Sequence, residues 1–292
     1  MVRTLITGAS GRLGSQLIKR LDEVILNNDD IYLLQNRNQV NLPLGKNFNI
    51  TTDISSTYDI AIHFAGNLHT SRGNPKKNPE NYGEFARDNI ELTRRVCNKA
   101  GYVIFASTDN VFSGFDNGDY FEHDKLNPPN NFYGQTKADA ESIVLDNCGS
   151  VIRFQSSIGV PSNLIIDKIY AHIDGKPSWP FWNDQFIRPA FFGDILLVLN
   201  KTYSAQKRGI YHVSCSGDVP SRAEIAKKVL NVFREYNIPR ERDYIEEEPC
   251  NDPDFPRRLA LDTTFTRNEL GLGEFTSVDE AIRLHVLRTR KL

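Results

Sequence analysis

Apolar positions come in short runs separated by turn residues for the first half of the chain. Residues 2–7 predict a short buried strand, and after a glycine-punctuated turn Leu13, Leu17, Ile18 and Leu21 recur on one helical face. Residues 31–34 read as a second strand. Residues 58–64 alternate and then run apolar into the small-residue turn Ala65-Gly66, and 80–99 carry a helical pattern. Two further strands are expected at 102–106 and 151–154. Between them lies a loop rich in Gly, Asp, Asn and Pro, ending at Pro128-Pro129, and then a helix to about residue 145. Strands alternating with helices over 150 residues predict an α/β fold, a doubly wound parallel sheet of Rossmann-like form.

The pattern loosens after residue 155, where Pro161, Pro177, Pro180 and Pro189 divide the chain into short pieces. Residues 209–213 predict one more sheet strand, 221–236 a helix opened by a Ser cap, and 278 onward a final helix. Residues 237–262 are acidic, Pro-rich and irregular. The expected organisation is a dinucleotide-binding domain at 1–155 and a smaller C-terminal substrate lobe at 156–292, with segments near 190–215 returning to the main sheet.

Composition narrows the function classes. The 292 residues are 39% hydrophobic and 25% charged, with a formal net charge of −2. That is ordinary for a globular enzyme, and no basic cluster favours a nucleic-acid partner. No apolar stretch is long enough for a membrane span. The four cysteines are far apart and form no CxxC pair, and the six histidines show no HxH or HExxH spacing, so no metal is expected. Free thiols and the lack of a secretory signal pattern at the first residues lead to an expected cytoplasmic location.

The first strand runs into Thr7-Gly8-Ala9-Ser10-Gly11-Arg12-Leu13-Gly14, a GxxGxxG loop at a helix start. Gly8 permits the tight turn, Gly11 lets backbone approach a pyrophosphate, and Gly14 lets helix pack on strand. The helix N-terminus offers free N–H groups to the phosphates. Ser10, Arg12 and Leu13 complete the candidate cradle. No acidic residue follows the second strand. Arg37 there, helped by Arg12, is placed to pair with a 2′-phosphate, which favours NADP over NAD; solvated surface arginines are the plainer alternative. Asp53, with Ile54 beside it, is placed near an adenine amino group or caps a turn.

Tyr133-Gly134-Gln135-Thr136-Lys137 has the form YxxxK, so phenol and ammonium share a helix face. Reducing a ketone with a hydride leaves an alkoxide that needs a proton, and a free phenol with pKa near 10 is poorly matched to that at neutral pH. An ammonium about 4 Å away at an effective dielectric near 20 contributes roughly 4 kcal/mol, about three pK units, which is expected to bring Tyr133 close to neutrality. Ser107-Thr108-Asp109 ends the strand at 102–106, where a doubly wound sheet binds its ligands, and a hydroxyl there can donate to the developing oxyanion.

With these residues in place, the chain resembles the extended short-chain dehydrogenases, and among them the dTDP-4-dehydrorhamnose reductases. The likeness rests on LITGASGRLG, HFAGN at 63–67, FASTDNVFSG at 105–114, NPPNNFYGQTKADAE at 127–141, GIYHVSCSG at 209–217 and PRRLALDTTF at 256–265. The resemblance implies a catalytic triad at Thr108, Tyr133 and Lys137, and cofactor contacts at Ala65, Gly66 and Asn67. It also implies a retained asparagine at Asn89, a structural helix-opening Asp194, and a homodimer. Two departures stand out. Sugar-nucleotide dehydratases carry Asp-Glu after the threonine, whereas Asn110 follows Asp109 here, which disfavours elimination. The tryptophan usual after the strand at 151–154 is replaced by Gln155-Ser156-Ser157, which leaves the sugar open.

Thr108, Asn110, Arg257 and Arg258 are the candidate substrate contacts, the two arginines because a nucleotide sugar carries a pyrophosphate. Surface solvation is the alternative for that pair. Trp179 and Trp182 either stack on a base or sugar or anchor their Pro-rich loop. The expected activity is NAD(P)H-dependent reduction of a nucleotide-linked 4-keto-6-deoxy sugar. The competing readings are an epimerase holding NAD in a closed cycle, a non-catalytic nucleotide-binding regulatory subunit, and reduction of a small carbonyl compound.

Overall fold

The computed structural model describes residues 2–24, 30–35, 48–68, 76, 78–115, 119–128, 131–147, 149–161, 164–252 and 255–292. Arg37 and Cys148 lie outside them.

A seven-stranded sheet holds β1 (Arg3–Thr7), β2 (Asp30–Leu34), β3 (Asn49–Thr51), β4 (Tyr58–His63), β5 (Ala100–Thr108), β6 (Ser150–Phe154) and, later in the chain, Gly209–Val213. Their spatial order is β3-β2-β1-β4-β5-β6 and then the 209–213 strand. The pairings of β1 with β2 and β4, of β2 with β3, and of β4 with β5 are parallel. The order reverses between β1 and β4, the switch point at which such sheets bind ligands. β1, β4 and β5 are buried at nearly every position, as strands covered on both faces must be. This is the Rossmann-like α/β fold the alternation implies.

The helix after the glycine loop is α1 (Arg12–Lys19), with Leu17 and Ile18 fully buried. The helical pattern at 80–99 resolves into α2 (Tyr82–Phe85), a π-helical segment Ala86–Glu91, and α3 (Leu92–Cys97). α4 spans Phe132–Asp146, opened by Asn131, whose side chain accepts from Gly134 N–H at 2.7 Å.

Two compact units emerge. The first comprises residues 1–112, 122–153 and 196–211, and the second 113–121, 154–195 and 212–292. The core of the first gathers Leu5, Ala61, Val103, Phe105, Val144 and Val151. The core of the second is built on α5 (Leu164–Ile173), on Arg222–Glu235 and on Val278–Arg290, with Ile169, Phe233 and Ile282 among its fully buried side chains. Ser221 opens its helix with a full capping box to Glu224. A division at residue 155 leaves the segment 113–121 in the first half, yet it clusters with the second unit. Gly114 O accepts from Arg257 and Arg258 N–H, and Tyr120 N–H donates to Ala260 O. No helix among the described residues is long and apolar enough to cross a membrane.

Candidate functional site

The glycine loop sits between β1 and α1. Gly8 has φ +72°, a conformation side chains resist, and a Cβ on Gly14 would strike the Gly8 carbonyl. α1 begins at Gly11 with no capping side chain and no acidic residue in its first turn. The positive dipole end of α1 therefore suits an anion. Ser10 and Arg12 are exposed, and Leu13 is half-buried. The neighbouring turn is tied down from both sides. Ala65 N–H donates to Thr7 Oγ1 at 3.2 Å, and Asn67 N–H donates to Asn89 Oδ1 at 2.7 Å. Asn89 Nδ2 also donates to Thr136 Oγ1 on α4 at 2.9 Å, so one buried amide links this turn to the helix carrying Tyr133 and Lys137.

Asp53 is exposed and accepts from Ser55 Oγ at 2.8 Å, while Ile54 is buried in the core of the first unit. The Ile54 side chain therefore fills the core, leaving only its backbone for a ligand.

Thr108 closes β5, and a short turn over 109–111 follows. Thr108 Oγ1 donates to Asp109 Oδ1 at 3.0 Å and accepts from Asn110 N–H at 3.2 Å. Asn110 Nδ2 donates to Asp109 Oδ1 at 3.0 Å. A Cβ on Gly134 would collide with Asn110 O, so α4 lies directly against this turn. This brings the Tyr133 phenol close enough to Thr108 for the hydroxyl to act on it.

Lys137 points along the same face. Its Nζ donates to Ala106 O at 2.5 Å and lies 3.7 Å from the Phe105 ring centroid. Burial pushes the ammonium down to about 7, against the pull of Glu141. Burial pushes the Tyr133 phenol up to about 12; Thr108 and Arg12 oppose this, and Asp109 reinforces it. This corrects the expected lowering of Tyr133: desolvation outweighs the neighbouring charges, and the ammonium is spent on a carbonyl and a ring. Arg12 stands close enough to act on the phenol, which draws it to the tyrosine end of the loop.

His63, on β4, is fully buried between Thr7 Oγ1 at 2.6 Å and Thr93 Oγ1 at 3.0 Å. Burial and then Lys137 push it down to about 3, so it stays neutral.

The second unit holds the other candidates. Arg257 Nη1 donates to Asp184 Oδ2 at 2.8 Å and to Cys250 O at 2.9 Å, which ties Arg257 to both. Arg258 Nη2 donates to Asp119 Oδ1 at 2.9 Å. Arg188, which the sequence reading passed over, approaches the same carboxylate at 3.6 Å. Among the described residues, the Nε of both Arg188 and Arg258 is buried without a hydrogen-bond partner. No spacing signal joins residues 119, 188 and 258; only the fold does. Trp182 packs edge-on against Phe255 at 4.8 Å and lies under Arg222, an anchoring role, whereas Trp179 is 75% exposed. Asp194 accepts from Thr276 N–H and Oγ1, a structural role.

Parallel sheet, switch point and glycine turn together define a Rossmann-like α/β fold. The chain belongs to the RmlD substrate binding domain family, whose model matches residues 2–270. Solved structures with this fold include a dTDP-4-dehydrorhamnose reductase from Bacillus anthracis in complex with NADP, 22% identical, with a TM-score of 0.79 over 98% of each chain. Another is a dTDP-glucose 4,6-dehydratase from Streptomyces venezuelae with NAD bound, 19% identical, with a TM-score of 0.79 over 99% of this chain and 97% of that one. A curated relative, methionine adenosyltransferase 2 subunit beta from Bos taurus, is 26% identical over 94% of this chain and 84% of its own.

Proposed function

We propose that the protein is an NAD(P)H-dependent reductase of a nucleotide-linked 4-keto-6-deoxy sugar, with NADPH the preferred cofactor. The observation that carries this reading is the convergence of Thr108, Tyr133 and Lys137 where β5 ends against α4. A bound reduced nicotinamide supplies the hydride. Gly8, Gly11, Gly14 and the open N-terminus of α1 form the cradle for its pyrophosphate, with Ala65, Gly66 and Asn67 alongside. Arg37 remains the candidate for the 2′-phosphate. Tyr133, held protonated by burial, donates to the substrate oxygen; Thr108 steadies that oxygen; Lys137 in its charged form stabilises the developing negative charge. Asn110 is an amide where a dehydratase needs an acid, which supports reduction over elimination. Arg258 and Arg188, with buried Nε–H groups to spare, receive the substrate phosphates, and Arg257 shapes the loop beside them.

The test is NADPH oxidation with such a sugar. Tyr133→Phe is expected to lower kcat by about 10²–10⁴-fold, the worth of a positioned acid; full activity in that variant overturns the assignment. A homodimer in the cytosol goes with this reading, checked by sedimentation and cell fractionation.

A second reading, a non-catalytic nucleotide-binding regulatory subunit, is favoured by the curated relative that is named as a subunit of a different enzyme. Wild-type protein that gains thermal stability from NADPH yet transfers no hydride to any nucleotide-linked keto sugar selects it.

A further inference from the structure

Three consecutive residues at the end of β5 hold three consecutive turns of α4. Ala106 O accepts from Lys137, Ser107 Oγ donates to Glu141, and Thr108 stands close enough to act on the Tyr133 phenol. Tyr133, Lys137 and Glu141 are spaced i, i+4, i+8 and form one line on the buried face of the helix. Glu141 is 1% exposed and is gripped from the next strand by Arg153, which donates from Nη2 at 2.7 Å and from Nε at 3.0 Å. Arg153 is itself anchored on Glu122 O at 3.1 Å and over the Phe112 ring at 5.2 Å. A buried ion pair is a poor source of stability, since apolar side chains of the same volume do as well. What it supplies here is direction: one carboxylate fixes β5, α4 and β6 at the level of the reacting groups.

We propose that Glu141 is a positioning residue: with Ser107 and Arg153 it sets α4 against the end of β5 and so holds Lys137 and Tyr133 at Thr108. The inference rests on the reading of Lys137 and Tyr133 as the working pair. The charged or titratable groups around Lys137 are Glu141 and Tyr133 on its own helix, His63 on β4 and Asp109 after β5. Arg153 on β6 and Arg12 on α1 lie behind Glu141 and beside Tyr133. Glu141 is the one that draws the Lys137 proton-binding range upward.

The test follows Lys137 directly, by NMR titration of the full chain carrying carbon-13 at lysine Cε, with the signal assigned by its loss in Lys137→Met. In Glu141→Gln the Lys137 transition is expected to move down by about one pH unit. In Ser107→Ala, where the carboxylate loses a neutralising donor, it moves up. Opposite shifts from two neighbouring deletions are not produced by general loosening of the helix. With substrate, kcat falls in both variants, and the alkaline limb of the pH profile tracks the NMR transition. An unmoved transition in folded Glu141→Gln overturns the proposal; if that variant does not fold, an unmoved transition in Ser107→Ala does so. The titration needs no turnover, so a wild type without hydride transfer sinks the reductase reading and leaves this result intact.

Discussion

At Lys137 the requirements of chemistry and of folding oppose each other. The side chain is 4% exposed and its ammonium is pushed down to about 7 by burial. The unfolded chain keeps that proton up to the ordinary value of 10.5. Between these values the unfolded state binds more protons, so stability rises with pH across the window and is lowest below it. Lys137→Met removes the penalty. Its melting temperature at pH 6 should exceed that of the wild type, by about 0.5–2 kcal/mol in stability, and the gap should close as pH rises toward 10.5. A gap independent of pH contradicts the burial argument. Sequence spacing was enough to place Tyr133 and Lys137 on one buried helix face. The direction of the tyrosine shift was not legible, because it depends on burial and on Thr108, Asp109 and Arg12 around the phenol, which come together only once β5 and α4 have met.

Element boundaries were legible where one strong signal acts, and illegible where partners are distant. The glycine loop, the Ser221 capping box and the strand over Gly209–Val213 follow from local residues. The π-helical segment Ala86–Glu91 does not: its extra residue per turn turns Asn89 inward to clamp Asn67 and Thr136, partners far along the chain. The two-residue strands Phe186–Ile187 and Arg258–Leu259 exist only because they pair with each other. Gly134 is a further case. Inside YxxxK it looks like a neutral spacer, yet it is the contact surface between α4 and the turn after Thr108. Gly134→Ala improves helix propensity, so an isolated-helix argument forecasts stabilisation. The Cβ instead meets Asn110 O, and the expected outcome in urea unfolding is a loss of about 1–3 kcal/mol, together with reduced kcat as Tyr133 is displaced from Thr108. Unchanged stability and rate would show that the turn yields freely.

At the scale of the molecule, the candidate residues fall into two separate units. The first carries the glycine cradle and the Thr108, Tyr133 and Lys137 group; the second carries Arg188 and Arg258 on a shared Asp119. The sequence order hides this division, since residues 113–121, which bring Asp119, lie within the first half of the chain. Among the described residues, Arg188 and Arg258 share the single carboxylate of Asp119, and the Nε–H of each is buried without a hydrogen-bond partner. Such a cluster is costly to desolvate, and an anion repays that cost. Arg257, 39% exposed with Nη1 already on Asp184 and Cys250 O, has less to gain. The two ligand classes should therefore separate by mutation. Arg258→Met is expected to weaken binding of a nucleoside diphosphate by about 10–100-fold, the worth of one charge-assisted hydrogen bond of about 1.5–3 kcal/mol. The same variant should leave NADPH affinity unchanged, both read by calorimetry on the full chain. Equal loss of both affinities would mean that the substitution unsettles the fold rather than a phosphate site, and retention of both would return Arg258 to the role of a loop clasp on Asp119.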